Sequence, residues 1–116
     1  MTIHTGRVTF DEVIELALTL PDVEASEKYD SSPVLKAAGR FLAGIATDES
    51  ADADTLVVRM EPEERQYLLE DAPDTYYVTE YYERHSVVLV RLEQLEHDAL
   101  RDLLSVSWRL AMKGKR

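Results

Sequence analysis

Between Pro33 and Met60 the apolar residues come in short runs broken by turn signals. Pro33-Val-Leu-Lys-Ala37 and Arg40-Phe-Leu-Ala-Gly-Ile-Ala-Thr47 flank Ala38-Gly39. Thr55-Leu-Val-Val-Arg-Met60 follows an acidic, small-residue loop over 48–54. Runs this short read as strands, and the first two read as a hairpin. A hairpin cannot bury both of its faces, so it needs a covering layer.

That layer is legible on either side. Thr9-Phe-Asp-Glu12 has the spacing of a capping box, with Thr9 as N-cap and Glu12 three residues into a helix from Phe10. Val13, Ile14, Ala17, Leu18 and Leu20 form its apolar stripe, and Pro21 stops it. A second helix begins at Pro62 behind Glu61, is anchored by Leu68 and Leu69, and ends before Pro73. The last helix runs from about Glu96 to about Lys113, with Leu100, Leu103, Leu104, Ser107 and Ala111 inward. Its basic end, Arg109 to Arg116, suits a negative C-terminal dipole. Trp108 reads as a core anchor on this helix.

Further strands are expected over Thr75–Thr79 and Ser86–Leu92, joined by Glu80 to His85, with a weaker one over Ala25–Tyr29. The expected architecture is therefore a single α+β domain over residues 1–116, with the order helix, three or four strands, helix, two strands, helix. The sheet is antiparallel and the helices cover one face.

Several chemistries lack their residues. With no cysteine among 116 residues there is no disulfide, thiolate ligand or Cys nucleophile. There is no nucleophile elbow, P-loop or dinucleotide fingerprint. No catalytic constellation is assigned, and a non-enzymatic protein without cofactor is expected. His4, His85 and His97 do not make a metal site, even with Glu93 four residues before His97. The acids Asp48, Glu49, Asp52 and Asp54 lack the glycine and distal glutamate of a calcium loop and read as a solvated connection. No run is long enough to span a membrane, and Met1–Val8 has no apolar core of a signal peptide. A cytoplasmic protein is expected.

The charge distribution is the most informative remaining feature. The formal net charge is -10, which repels a phosphate backbone overall. Yet the main strand segments carry Lys36, Arg40, Arg59 and Arg91 and no acid. Alternation puts Arg59 opposite Leu56, Val58 and Met60, and Arg91 opposite Val88, Val90 and Leu92. Both arginines then lie on the face away from the helices, while Lys36 and Arg40 flank a hairpin tip. These four are candidates for an anion or nucleic-acid contact, or else solvating and edge-protecting charges on an open sheet. Tyr77 and Tyr82, among six tyrosines, are candidates for stacking or ligand contact, or else for sheet packing.

The chain resembles the MmcQ/YjbR family over nearly its whole length. The resemblance is carried in order by Leu18-Thr-Leu-Pro-Asp-Val-Glu-Ala-Ser26, Lys36-Ala-Ala-Gly-Arg-Phe-Leu-Ala43 and Pro62-Glu-Glu-Arg65. It continues through Tyr77-Val-Thr79, Val88-Leu-Val-Arg-Leu92 and Ser107-Trp-Arg109. It differs at Asp30, where relatives often have glycine after the tyrosine. The family's members are named as DNA-binding proteins. The resemblance implies an α+β fold similar to secretion chaperones, with a "double wing" of hairpins, and implies no catalytic motif. Two functions follow as expectations. One is DNA binding through the basic strands and the wing. The other is a protein- or small-ligand-binding module on the same face, with an unidentified partner and no nucleic-acid role.

Overall fold

The computed structural model describes residues 8–28 and 32–113. His4, Tyr29, Asp30, Lys115 and Arg116 lie outside the described residues. The elements run α1 (Phe10–Ala17), β1 (Val23–Glu27), β2 (Pro33–Ala37), β3 (Arg40–Ile45), β4 (Thr55–Arg59), α2 (Pro62–Asp71), β5 (Tyr76–Tyr77), α3 (Glu80–Glu83), β6 (Val87–Arg91) and α4 (His97–Lys113). One 3₁₀ turn, Leu92–Gln94, leads into α4.

The strands form one six-stranded sheet in the order β1-β2-β3-β4-β6-β5, antiparallel at every pairing. The β2–β3 hairpin turns at Ala38 and Gly39, both at positive φ (52° and 80°). That sign at both central residues is what matches the right-handed twist of two strands joined by two residues. Toward β2 the β3 strand carries a register shift, so Leu35 faces Ala43 while Lys36 faces Phe41. Leu42 has no opposite residue, and its side chain joins Ala43 on the helix side. The buried Ser107 Oγ donates to the Leu42 carbonyl at 3.1 Å, satisfying a group that the bulge takes out of the ladder.

The α1 cap forms in both directions. Glu12 N donates to Thr9 Oγ1 at 3.2 Å, and Thr9 N donates to the Glu12 carboxylate at 2.9 Å. The five α4 residues expected inward are the five that are buried. They pack with Val13 and Ala17 of α1 against Leu56, Val58, Val88 and Val90 of the sheet, and Leu68 and Leu69 of α2 close the same core. Trp108 is half-buried at its margin, and its Nε1 donates to the Pro21 carbonyl at 2.8 Å, tying α4 to the turn after α1.

Three differences from the expected elements have local causes. Helix α1 ends at Ala17, before Pro21, where the backbone tightens to bonds three residues back, from Thr19 N to the Leu16 carbonyl at 3.1 Å and from Leu20 N to the Ala17 carbonyl at 3.0 Å. The strand expected over Thr75–Thr79 shrinks to two residues. The segment read as a plain connection after it holds α3, a single helical turn on the opposite side of the sheet from α1, α2 and α4. There Tyr82 packs with Val57, Val87 and Leu89 in a second, smaller core. One face of the sheet is thus covered by helices, and the other is covered only in part.

A candidate anion recess on the open sheet face

The partly covered face is shaped by the loop over 48–54 and by α3. Two tyrosine hydroxyls pin the loop down. Asp52 N donates to the Tyr77 oxygen at 2.8 Å, and Asp48 N donates to the Tyr82 oxygen at 3.1 Å. The Tyr77 hydroxyl is also 2.6 Å from the buried Thr55 Oγ1. Asp48 folds onto its own loop, where bonds from Ser50 hold its carboxyl below the usual range. The acidic cluster is therefore a structured connection, and among the described residues no group of His, Asp and Glu is arranged to hold a metal ion.

Beside α3 the sheet stays open, and a recess of about 530 Å³ lies between the edge of α3, the Arg84–Val87 turn and strands β2 to β4. Gly44 forms part of its floor, in register with Val57 on the open side. A Cβ at Gly44 would meet the Pro33 carbonyl oxygen at 3.3 Å and the Phe41 ring at 3.6 Å. The absence of a side chain there keeps the floor low.

The cationic side chains around the recess are Lys28, Arg59 and Arg84, with His85 beside them. No Asp or Glu lines it among the described residues. Arg59 sits deepest. Its Nε donates to the Phe41 carbonyl at 2.6 Å, just beyond the last β3–β4 residue pair. No described carboxylate reaches its guanidinium within ion-pair distance. Burial, and then the neighbouring positive charge of Arg40, push its pKa below the ordinary arginine value. A half-buried cation beside another cation is a group that an incoming anion would stabilise.

The turn carrying Arg84 and His85 is braced from behind. Arg65 of α2 donates Nη1 to the carbonyls of His85 (3.1 Å) and Val87 (3.0 Å), and Nη2 to that of Glu83 (3.4 Å). One planar fork thus gathers three carbonyls of the same turn. Tyr81 stands at the mouth, 51% exposed, edge-to-face with Tyr82 at 4.9 Å and 82°.

The residues expected to bind are not gathered in one place. Arg59 and Tyr82 line the recess. Arg40 is close enough for its charge to act on Arg59, although it pairs in register with the helix-side Ala37. Lys36 lies on the open side in register with Phe41, directly opposite Glu24 of β1. Arg91 is at the far end of the β4–β6 ladder, about 13 Å from Arg59 along the strands. It is occupied there, with Asp52 at 3.1 Å, the Asp74 carbonyl at 3.4 Å and the Tyr77 ring centroid at 4.0 Å. Tyr77 therefore has its hydroxyl bonded and a ring face covered, and it does not line the recess. The sequence candidates for binding do not include Lys28 or Arg84 and include His85 only toward a metal; Lys28 follows β1, and Arg84 and His85 lie in the turn before β6, where strand alternation assigns no face. The signal available was two basic-type residues, Arg84-His85, immediately before a buried strand.

Comparison with known proteins agrees with this fold. The structure is similar to the crystal structure of Deinococcus radiodurans protein DR2400, whose family-model domain is DUF419. The two share 22% identity with a TM-score of 0.76, over 98% of this chain and 86% of that one. No curated protein matches the chain. The YjbR family model matches residues 18–110, a span that includes both the sheet and the recess. The chain belongs to the YjbR family.

Proposed function

We propose that this YjbR protein is a non-enzymatic binding module that contacts the phosphates of DNA through the open-face recess. The observation that carries the reading is Arg59, a half-buried guanidinium with one carbonyl partner and no described carboxylate, facing a recess lined with basic side chains. In a chain with a net charge of -10, a recess free of described acids is the place where a phosphate is not repelled. Lys28 and Arg84 are exposed and add positive charge at the rim. Arg91 contributes to holding the 48–54 loop rather than to binding.

Fluorescence anisotropy with labelled single-stranded and duplex DNA, at low and raised salt, tests the reading. Binding should weaken steeply with salt, and Arg84→Ala should reduce the slope by roughly one charge. Absence of binding to either DNA at low salt overturns it.

A further inference from the structure

We infer that the recess seats one unstacked nucleotide of a single-stranded nucleic acid, with the base against Tyr81 and the phosphate at Arg59. The inference rests on the phosphate-binding reading above and names the form of its ligand. Three observations converge on it.

The first is the layout of charge. Duplex DNA presents about one negative charge per 1.7 Å of axis and is met by an extended basic track. Here the bases ring one cavity of about 530 Å³, within the size range of small-ligand sites, roughly 300–1,000 Å³. Exposed acids stand around it on the same side of the sheet: Glu24 on β1, opposite Lys36, Glu80 and Glu83 on α3, and Glu49 on the covering loop. A rod of phosphates laid across this face would meet those carboxylates, whereas a single nucleotide dipping into the recess need not.

The second is the half-exposed aromatic at the mouth. Tyr81 is held by its edge-to-face contact with the buried Tyr82, and Tyr82 is anchored by the bond from Asp48 N. The ring is thus positioned by a rigid neighbour while half its surface stays in water. Single-stranded binders use such rings, because every base has a face to stack on.

The third is the pairing of that ring with two arginines held in different ways. Arg59 is fixed at the floor by its bond to the Phe41 carbonyl, and Arg84 and His85 are carried on the turn that Arg65 braces. A fixed donor below and a stacking surface above match the two ends of a nucleotide.

The test uses a fluorescein-labelled twelve-nucleotide thymidine strand, the matching duplex, and unlabelled thymidine 5′-monophosphate, thymidine and inorganic phosphate as competitors. The single strand should bind at least several-fold tighter than the duplex. The monophosphate should displace it better than thymidine or phosphate alone. Tyr81→Ala should weaken single-strand binding about tenfold, with Tyr81→Phe close to the parent. If single strand and duplex bind equally and Tyr81→Ala changes nothing, while Arg84→Ala still lowers the salt slope, the inference fails and the phosphate reading stands. Displacement by phosphate as good as by the monophosphate also overturns it. No binding of any DNA removes both.

Discussion

The guanidinium of Arg91 lies 4.0 Å from the centre of the Tyr77 ring and forms an ion pair with Asp52 at 3.1 Å, while the Tyr77 hydroxyl accepts from Asp52 N. The two residues therefore work as one clamp on the 48–54 loop. Tyr77→Phe keeps the ring under Arg91 but leaves the buried Thr55 hydroxyl and the Asp52 amide without this partner. A loss of about 1–2 kcal/mol is expected in urea unfolding. Amide exchange at Asp52 should quicken at the same time, with the helix-side core unaffected.

Arg65 is half-buried and gathers the carbonyls of Glu83, His85 and Val87. Arg65→Lys retains the charge but cannot span three acceptors with a planar fork. The expected outcome is roughly 1–3 kcal/mol of destabilisation. The accompanying rise in backbone mobility should be confined to residues 83–87, as read by ¹⁵N relaxation. DNA affinity should fall as well, because Arg84 and His85 lose their fixed position.

Ala38 holds φ 52° at the β2–β3 turn, where a Cβ is unfavourable. Asparagine tolerates that region and is the usual companion of glycine in such a turn. Ala38→Asn should stabilise the protein by about 0.5–1 kcal/mol, measured as a higher urea midpoint with unchanged slope.

Glu12 accepts from Thr9 N in the cap of α1 and sits 2.8 Å from His97 at the start of α4. The backbone bond from Thr9 first, and then His97, lower its pKa from the ordinary 4.5. A depressed carboxylate contributes stability above its unfolded pKa, and loses it as pH falls through the folded one. Glu12→Gln should therefore cost stability at neutral pH, and the gap from the parent should close below about pH 4.5. Thermal unfolding of both proteins from pH 7 to pH 3 reads this directly.

Local patterning determined most of the architecture. The Thr9–Glu12 cap, the inward stripe of α4 and the Ala38-Gly39 turn depend on residues within a few positions of one another, so spacing alone reveals them. Strand alternation also placed Arg59 and Arg91 correctly on the face away from α1 and α4, because a period of two leaves no other choice. Which of those bases stand together was a tertiary matter. Register put Arg59 and Arg91 at opposite ends of one ladder, and a contact with Asp52, 39 residues away in sequence, occupied Arg91. The one-turn helix α3 holds its place through the burial of Tyr82 against Val57 and Leu89, since four residues cannot sustain a helix alone. The recess follows from that docking. Lys28, Arg59, Arg84 and His85 come from three segments that only the folded sheet brings to one recess.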